Sequence, residues 1–523
     1  MLPVLSREQM QQLDRATTER WNVPSAVLME NAGRGAAEII AATLPPKGRV
    51  VAVTGCGNNG GDGFVVARHL LVLGHEVAVL ALCAPTALKG DARHNCEAFV
   101  ALGGQILECT VVGAIDDQIR TASAGAQCVV DAIFGVGLSR EVEGVFAQAI
   151  VAINALREVD GNRPQIVALD IPSGLDATTG QVLGAAVRAD QTLSFAQHKL
   201  GMFTANGVDH CGQIRTIDIG VPAGALEEME FSARLLQDSD IHPLLKPRPL
   251  SAHKNSAGRV VVFAGSAGKI GAALLVGRAA LRAGAGVVTL AGFEEVVVQL
   301  DRRVEELMTA RIDRAHVRQS VESICTAADA VVVGPGVGLD DAAQELVRAI
   351  LAGFKGSIVV DADALTQFAG KVAEFSLAPG SLILTPHPGE MGRLLGMTGA
   401  QVENDRFSAV SVTAQRGNCT VLLKGPCTLI ASPGQRTLIH STQAPSLATA
   451  GSGDVLAGII GALCLTLSPW QAAFVGAHVH ARAAQLWQAE NQAADRGLLA
   501  HEIADHVPAV IAELTRRSAS LPV

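Results

Sequence analysis

The chain has 523 residues, of which 49% are apolar and 17% charged, and this length exceeds what a single hydrophobic core usually organises. We therefore expect two or three globular domains. The formal net charge of −9 argues against binding to nucleic acid or to an anionic membrane, because both surfaces attract basic proteins.

Short apolar runs in the first half of the chain alternate with helical stretches. The predicted strands are RVVAVT (49–54), EVAVLAL (76–82), CVVDAIFG (128–135) and QIVALDIPSG (165–174). Strands separated by helices are typical of a parallel sheet that is covered on both faces. We therefore predict an α/β domain in this half.

The stretch GCGNNGGDGF (55–64) places five glycines between the first of these strands and a helix that we expect to run from residue 64 to Gly74. Backbone N–H groups at a helix N-terminus attract anions, and a phosphate can come close where Cβ atoms are absent. Glycine can equally serve only the turn itself by supplying a positive φ. The motif alone does not distinguish a phosphate-binding loop from a structural turn.

Polar side chains in the first half follow the predicted strands. They are Asn58, Asn59 and Asp62 in the glycine-rich loop, Asp131, and Asp170 with Ser173. For either aspartate taken alone, a solvated or helix-capping role explains its position as well as a binding role does. Because ligands of open parallel sheets bind beyond the carboxyl ends of the strands, we expect one shared pocket. The oxygens of Asn59, Asp131 and Ser173 suit an alkali or alkaline-earth cation better than zinc, which leaves potassium, sodium and magnesium open.

The alternation of strands and helices breaks near residues 221–224 and is followed by an acidic patch and a proline-rich passage. We predict a first domain at 1–224, a linker at 225–245 and a second domain at 246–523. The strands predicted in the second domain are RVVVFAGSAG (259–268), GVVTLAG (286–292), AVVVGPGVG (330–338), SIVVDADAL (357–365), SLILTPHPGE (381–390) and TVLLKG (420–425). The motifs of the two halves differ, which indicates a fusion rather than a duplication.

The sequence LATAGSGDVLAGIIGAL (447–463) opens a long apolar helix with glycines and places Asp454 in its first turn. Backbone N–H groups there can hold a phosphate, beside which Asp454 can exchange a proton with a substrate hydroxyl. The alternative is an acidic residue favoured only by the helix dipole. A helix cap would not need the flanking glycines, and this favours a catalytic role for Asp454.

Other polar residues of the second half are less specific. Lys424 follows a strand and is either a phosphate contact or a surface lysine. His387 and Glu390 lie in a loop stiffened by two prolines, which suits preorganised contacts. His478 and His480 do not face each other on a helix, and we interpret them as structural or surface residues rather than ligands.

Two sets of motifs resemble one known family. GNNGGDGFVVARHL, VVDAIFGVGLSR, ALDIPSGLDATTG and LMENAGRGAAE resemble the epimerase domain of bifunctional NAD(P)H-hydrate repair proteins. GKIGAALLVGRAALRAGAGVVTLA, VVVGPGVG, VVDADALT, TPHPGEMGRLLG, LLKGPCTLI and ATAGSGDVLAGIIGAL resemble their ADP-dependent dehydratase domain. The resemblance covers nearly the whole chain and implies two doubly wound α/β domains, a Rossmann-like and a ribokinase-like three-layer sandwich.

The resemblance implies repair of NADH and NADPH that carry water at C6 of the nicotinamide ring. The first domain interconverts the R and S hydrates. The second removes water from the S form and consumes ADP, giving AMP and phosphate. Potassium in the first domain, magnesium with ADP in the second and a homo-oligomer are also implied.

Site residues follow from the resemblance motif by motif. The hydrate in the epimerase would be bound by Asn58, Asn59, Gly60, Gly61, Asp62, Gly135, Val136, Gly137, Leu138, Ser139, Arg140, Glu141 and Asp170. Potassium would be held by Asn59, Asp131 and Ser173, and catalysis would rest on Asp170, Asp454 and an assisting Lys199. The hydrate in the dehydratase would be bound by Ala272, Gly336, His387 and Asp454, and ADP by Lys424, Gly425, Pro426, Cys427, Thr428, Thr449, Ala450, Gly451, Ser452 and Gly453.

One segment departs from the family's pattern. Residues 443–446 read Gln-Ala-Pro-Ser where the family usually has a Gly-Asn-Pro-Gly turn, which affects the expected nucleotide contacts. A ribokinase-like kinase of a small molecule is the rival enzyme, and a nucleotide-binding or protein-interaction scaffold is the rival for the first half. A kinase does not require GNNGGDG, DAIFG and DIPSG in one chain, and a scaffold does not require the cation site that Asn59, Asp131 and Asp170 indicate.

The ten cysteines and the N-terminus indicate the compartment. No CxxC pair is present, which is typical of reduced thiols rather than of a disulfide framework or a zinc site. The N-terminus has no secretory signal pattern, and the apolar run at 455–467 is too short and too rich in glycine to cross a bilayer. We expect a cytoplasmic protein without membrane partners.

Overall fold

The structure is a computed structural model that describes residues 1–158, 163–493 and 495–519. It divides into two compact units, an N-terminal unit, Pro3–Ala233, and a C-terminal unit, Arg234–Val523 with Met1–Leu2. Among the helices of the described residues, none combines the length and the apolar character needed to cross a membrane.

Nineteen strands and twenty helices are present in the described ranges. The strands are β1 (Leu2–Leu5), β2 (Arg49–Thr54), β3 (Glu76–Ala81), β4 (Gln105–Glu108), β5 (Cys128–Ala132), β6 (Gln165–Leu169), β7 (Gln191–Phe195), β8 (His198–Lys199), β9 (Gln213–Ile217), β10 (Ala233–Leu235), β11 (Arg259–Phe263), β12 (Val287–Phe293), β13 (Met308–Ile312), β14 (Ala330–Val333), β15 (Ser357–Val360), β16 (Ser381–Leu384), β17 (Thr420–Leu423), β18 (Thr428–Ala431) and β19 (Thr437–His440). The helices are α1 (Arg7–Glu19), α2 (Ser25–Ala41), α3 (Asn58–Val72), α4 (Gly90–Ala101), α5 (Ile115–Ser123), α6 (Gly144–Ala155), α7 (Ala205–Cys211), α8 (Ala223–Glu227), α9 (Asp238–Ile241), α10 (Ile270–Arg282), α11 (Glu294–Leu300), α12 (Val317–Cys325), α13 (Asp341–Gly353), α14 (Asp363–Thr366), α15 (Pro388–Leu395), α16 (Gly399–Asn404), α17 (Arg406–Gly417), α18 (Ser452–Leu463), α19 (Pro469–Glu490) and α20 (Ala500–Ala519).

The N-terminal unit contains a parallel sheet with the strand order β4-β3-β2-β5-β6-β7-β9. The chain moves outward from β2 to β4 and returns to β5 beside β2, so the strand order reverses there. In an open α/β sheet, ligands bind in the crevice that such a reversal leaves at the carboxyl ends. β1 pairs in parallel with the short strand β8, and this pairing sets Leu5 beside Lys199.

Helices cover both faces of this sheet. Val50 and Ala52 of β2 pack with α2, α3 and α4, whereas the intervening residues, Val51 and Val53, pack with α5 and α6. All four side chains are fully buried. Because successive strand residues point to opposite faces, burial of both sets requires three layers, as predicted.

The C-terminal unit has a second sheet, in which β13-β12-β11-β14-β15-β16-β17 are parallel and β18 and β19 continue it antiparallel. The order reverses between β11 and β14. Val260 and Val262 pack with α10, α18, α19 and α20, and Val261 on the other face is also buried. The predicted pair of doubly wound α/β domains is therefore confirmed.

The ten predicted strands are all present, but several others were not predicted. In β7, Gln191, Thr192 and Ser194 are buried although they are polar. The hydroxyls of Thr192 and Ser194 donate to the carbonyls of Cys211 and Gln197 at 2.7 and 2.9 Å, so burial leaves them satisfied. A hydrophobic pattern cannot identify such a strand. The segment predicted as a linker contains β10 and α9.

Candidate active sites

A cavity of about 1090 Å³ lies in the N-terminal unit at the reversal between β2 and β5. The connections after these strands and one face of α1 line it. The residues predicted to bind the hydrate that line the cavity are Asn58, Asn59, Asp62, Gly135, Val136, Gly137, Leu138, Ser139, Arg140, Glu141 and Asp170. Gly60 and Gly61 of the same prediction are not among its lining residues. The structure therefore brings the glycine-rich loop and Asp170 to one crevice, whereas Asp131 and Ser173 are not among its lining residues.

Close packing requires the glycines of the glycine-rich loop. None of its five glycines has a positive φ, so the turn explanation based on left-handed backbone is wrong. A Cβ on Gly55 would lie 2.1 Å from the carbonyl oxygen of Ile133, and one on Gly60 would lie 2.0 Å from that of Gly55. Helix α3 begins at Asn58, six residues earlier than predicted, because these glycines let its first turn pack against β5.

Asp170 is held in place by a buried lysine. The Nζ of Lys199, whose side chain is fully buried, donates to Asp170 Oδ1, to Ser194 Oγ at 3.0 Å and to the Phe195 carbonyl at 2.9 Å. The backbone N–H of Val136 donates to Asp170 Oδ2 at 3.1 Å. Asp170 has a φ of +67°, a conformation that non-glycine residues rarely adopt and that marks a constrained position.

Two further carboxyls face the same cavity. Burial, and then the charge of Asp170, raise the pKa of Asp62 well above its usual value, and the same causes raise the pKa of Asp14 to about 6. Asp14 was not predicted as a site residue. Its sequence signal is weak, since a polar residue on an amphipathic helix is usually a solvated one.

The predicted cation ligands lie near the connection after β5. Asp131 is fully buried and accepts from Ser173 Oγ at 2.6 Å and from Ser173 N at 2.8 Å. Burial raises the pKa of Asp131 to about 6, because these hydrogen bonds offset only part of the lost hydration. Asn59 is 7% exposed, and neither polar atom of its side chain has a hydrogen-bond partner in the structure.

An orphaned buried amide fits a cation with oxygen ligands, and the buried carboxylate of Asp131 and the hydroxyl of Ser173 are the other predicted ligands. No group of three or more His, Cys, Asp or Glu side chains in the described residues has the arrangement of a metal site. The ligand set would therefore combine an amide, a carboxylate and a hydroxyl, which suits a weakly bound monovalent ion rather than zinc.

The candidate site of the C-terminal unit lies at the carboxyl ends of its parallel strands. Lys424 follows β17, and its Nζ donates at 2.9 Å to Asp361, which follows β15 and is 1% exposed. Burial lowers the pKa of Lys424, but the charges of Asp361 and Glu390 outweigh burial and raise it overall. A Cβ on Gly453 would lie 3.2 Å from the Lys424 Nζ, so α18 begins directly against this pair.

Asp454 occupies the first turn of α18, as predicted. Burial, and then the charge of Asp361, raise its pKa to about 6 while Lys424 acts in the opposite direction. A carboxyl with this pKa exchanges protons readily near neutral pH. Asp361 was quoted in the sequence motif but given no role, although its position after a strand carries the same signal as that of Asp131.

The other predicted contacts of this unit lie at neighbouring strand ends. A Cβ on Gly336, which has a φ of +64°, would lie 3.4 Å from the Cβ of Ala272 in the first turn of α10. His387 caps α15, because its Nδ1 accepts from Gly389 N at 3.0 Å while Glu390 Oε2 accepts from His387 N at 2.9 Å.

The predicted nucleotide loop, residues 424–428, is anchored by Arg406. This side chain is 1% exposed, and its Nη2 donates to the carbonyls of Lys424 and Cys427 at 3.1 and 3.0 Å. Its Nη1 donates to Glu403 at 2.8 Å. No motif pointed to Arg406, because it lies in a helix that is distant in sequence from the loop. Pro426 lies within the anchored segment, and Thr428 is the first residue of β18.

The predicted segment 449–453 runs into the first turn of α18. Ser452 Oγ donates to the Leu447 carbonyl at 2.9 Å, and His480 Nε2 donates to the Ser452 carbonyl at 2.9 Å. His478 and His480 are both buried in α19, so the structural interpretation is confirmed and the surface alternative is wrong. Thr449, Ala450 and Gly451 precede the helix.

Comparisons with known proteins match both units. A family profile described as NAD(P)H-hydrate dehydratase matches residues 260–509, and one described as YjeF-related protein N-terminus matches residues 25–201. The chain is 38% identical to a bifunctional NAD(P)H-hydrate repair enzyme of Moorella thermoacetica, over 98% of this chain and 97% of that protein. It is 34% identical to the Escherichia coli protein of the same name, over 91% of this chain and 87% of that protein.

A solved structure also matches the chain. It is an ADP/ATP-dependent NAD(P)H-hydrate dehydratase from Bacillus subtilis, co-crystallised with ATP and Mg²⁺. It is 28% identical with a TM-score of 0.47, and the match covers 53% of this chain and 97% of that chain.

Proposed function

Because this chain belongs to the family of bifunctional NAD(P)H-hydrate repair enzymes, we propose that its two units carry one reaction each. The enzyme is an NAD(P)H-hydrate epimerase and an ADP-dependent NAD(P)H-hydrate dehydratase. We assign epimerisation to residues 1–224 and dehydration to residues 246–523, joined by 225–245. The observation that supports this assignment is a lysine paired in each unit with a buried aspartate that directly follows a parallel strand: Asp170 after β6 and Asp361 after β15.

The epimerase assignment rests on the cavity around Asp170. The hydrated C6 is a hemiaminal, whose C–O bond opens when the ring nitrogen donates its electrons and an acid protonates the oxygen. Readdition of water from the other side inverts the centre. Asp170, fixed by Lys199 and the Val136 N–H, exchanges protons at the C6 oxygen within the cavity.

Potassium is proposed for the site formed by Asn59, Asp131 and Ser173. The orphaned amide of Asn59 and the buried carboxylate of Asp131 are the observations that support it. When bound, the ion supplies a positive charge close to the dinucleotide's phosphates. Asn58, Asn59, Asp62 and the connection 135–141 line the cavity in which we place the hydrate.

The dehydratase assignment rests on Asp454. Its carboxylate takes the proton of the C6 hydroxyl while the hydroxyl oxygen attacks the terminal phosphorus of ADP. AMP leaves, and the C6 phosphate is then eliminated as the ring nitrogen donates its electrons. Lys424 and the N–H groups at the start of α18 offset the charge of the phosphates, and Ala272, Gly336 and His387 surround the hydrate. Magnesium, bound with the nucleotide, neutralises phosphate charge when present.

The remaining proposals concern context. We place the enzyme in the cytoplasm as a homo-oligomer, with NAD(P)H hydrates and ADP as its ligands and no nucleic-acid or membrane partner. The net charge of −9 supports the last point.

One assay tests both assignments. A mixture of R and S NADH hydrates is supplied with ADP and magnesium, and absorbance at 340 nm reports the NADH formed. We expect the wild type to convert the whole mixture, Asp170→Ala to stop once the S form is consumed, and Asp454→Ala to form no NADH. Absence of NADH formation by the wild type with either ADP or ATP would overturn the proposal and favour the rival kinase.

A further inference from the structure

One face of α1 belongs to the epimerase cavity, although no sequence motif pointed to this helix. Met10, Gln11, Asp14 and Thr18 line the cavity, and Asp14 lies three or four residues from each of the other three. Residues at this spacing share a face of an α-helix. Leu13 and Thr17, on the adjoining side, are buried in the unit's interior. The cavity therefore has a helical wall that carries one acidic group, Asp14.

The carboxyl of Asp14 is half-buried and has no hydrogen-bond or ion-pair partner among the described residues. Glu8 of the same helix, by contrast, accepts from the side chains of Ser6 and Arg7. A carboxyl that gives up water without gaining a partner destabilises the fold. A ligand in the cavity that donates a hydrogen bond to Asp14 would give its carboxyl the partner that the described residues do not provide.

The epimerisation requires two proton transfers at different positions. A proton must reach the departing C6 oxygen, which leaves as water while the nitrogen–carbon double bond forms. A second water then adds to the opposite side of C6 and must lose a proton. The two transfers balance, so no net proton is consumed. Asp170, fixed by Lys199 and the Val136 N–H, approaches from the sheet end and serves one side of the ring.

We propose that Asp14 is the second proton-exchanging residue of the epimerase, acting on the side of the nicotinamide ring that α1 faces. This inference rests on the function proposed for the N-terminal unit. Asp14 and Asp170 line the same cavity from different elements, a helix and a strand end. In one direction Asp14 gives its proton to the leaving oxygen and Asp170 accepts one from the adding water; in the other direction the roles exchange.

The charges around Asp14 support this pairing. Burial, and then the charge of Asp170, raise the pKa of Asp14 to about 6, while Lys199 acts in the opposite direction. Asp62 on α3 also faces this group, and its own pKa is raised by burial and by both neighbouring aspartates. Asp170 is ion-paired. Asp14 and Asp170 therefore lie in different surroundings, which suits different roles in proton transfer.

The test measures epimerisation directly in the full-length protein without nucleotide, so that dehydration does not occur. Purified R hydrate is incubated with enzyme, and the two epimers are separated by chromatography over pH 5–8. We expect Asp14→Asn to reduce kcat about a hundredfold with KM changed less than about threefold. The limb of the pH profile near pH 6 should disappear, and Asp14→Glu should restore part of the rate. Glu19→Gln, which removes the same charge at the exposed end of α1, should behave as the wild type.

Folding is checked in the same samples, because each variant should still dehydrate purified S hydrate with ADP at the wild-type rate. Asp14→Asn with a wild-type epimerisation rate and pH profile would overturn this inference while leaving the epimerase assignment intact. A proportional loss in Asp14→Asn and Asp14→Glu, with an unchanged pH profile and a raised KM, would show a binding role instead. A wild type that does not epimerise would refute the proposed function itself.

Discussion

At the scale of residues, each of the two sites contains a lysine that is ion-paired with a buried aspartate. Lys199 is fully buried against Asp170, and Lys424 is held against Asp361, which is 1% exposed. Removing one partner of such a pair leaves an uncompensated buried charge, whereas removing both is much less costly. These pairs therefore couple the stability of each unit to the integrity of its site.

We predict that Lys199→Met destabilises the N-terminal unit by about 3–5 kcal/mol and abolishes epimerisation. The reason is that Asp170 would lose the counterion that offsets its burial. The double variant Lys199→Met/Asp170→Asn should recover much of the stability but none of the activity. Thermal and urea unfolding measure the first effect, and chromatographic separation of the epimers measures the second. Lys89→Met, which changes an exposed lysine, is the control. Equal unfolding midpoints for the single and double variants would contradict this account.

A second prediction concerns Asn59 and Asp131. If potassium is held there, adding potassium chloride in place of an isotonic choline salt should raise the unfolding temperature of the wild type but not that of Asn59→Ala. Because burial raises the pKa of Asp131 to about 6, the potassium effect should weaken as pH falls below 6. Asn58→Ala, at the neighbouring position, should retain the effect. A shift of equal size with sodium would assign the site to a less selective cation.

At the scale of elements, the glycine-rich turn between β2 and α3 shows what the sequence allows to be predicted. Its position, its strand and its helix follow from periodicity, and all were predicted. The reason for its glycines was not, because the contact of Gly55 with the Ile133 carbonyl joins segments distant in the chain. A glycine required by tertiary contact cannot be distinguished in one sequence from a glycine required by φ.

We therefore predict that Gly60→Ala destabilises the N-terminal unit by about 3 kcal/mol or more, because the new Cβ would lie 2.0 Å from a backbone oxygen that cannot move freely. Gly57→Ala is the matched control in the same turn. Its Cβ would meet nothing within 4 Å, and its φ of −98° suits any residue. Urea unfolding compares the two. Equal destabilisation would show that flexibility of the turn, not packing, explains its glycines.

Arg406 is the corresponding case in the C-terminal unit, where a helix residue supports a loop. We predict that Arg406→Lys raises the Kd for ADP at least about tenfold, because a lysine cannot donate to the carbonyls of Lys424 and Cys427 and to Glu403 at once. Titration calorimetry measures the affinity. Arg416→Lys, on the exposed side of the same helix, should bind ADP normally. Unchanged ADP binding in Arg406→Lys would show that the loop does not hold the nucleotide.

At the scale of the whole molecule, alternation of apolar strands and helices was sufficient to predict two doubly wound units. It was not sufficient to find β7, whose buried side chains are largely polar, nor the pairing of Asp361 with Lys424, which joins residues distant in the chain. The site residues named from motifs lie at strand ends, where local sequence carries the signal. Asp14 and Arg406 reach a site from helices, and no local motif marked either of them.

The two units also differ in the balance of buried histidines and buried carboxyls, and this difference predicts unequal responses to acid. In the C-terminal unit, burial lowers the pKa of His440 to about 3 and the pKa values of His478 and His480 to about 4, and it raises the pKa of one carboxyl, Asp454, to about 6. In the N-terminal unit, burial raises the pKa values of Asp14 and Asp131 to about 6, although His198 has a pKa lowered to about 4.

We predict that acidification from pH 7 to pH 5 destabilises the C-terminal unit far more than the N-terminal unit. A histidine with a folded pKa near 4 and an unfolded value near 6.5 contributes stability that is present above pH 6.5 and lost as pH falls towards 4, by about 3 kcal/mol for each group at most. A carboxyl with a folded pKa near 6 and an unfolded value near 4 behaves oppositely, because its penalty above pH 6 disappears on acidification.

Calorimetry of the full chain follows both units, and Trp21→Phe leaves only Trp470 and Trp487, in the C-terminal unit, as fluorescent reporters. His440→Gln should reduce the pH dependence of the C-terminal transition. If both transitions shift equally with pH, buried histidines are not the source of acid sensitivity.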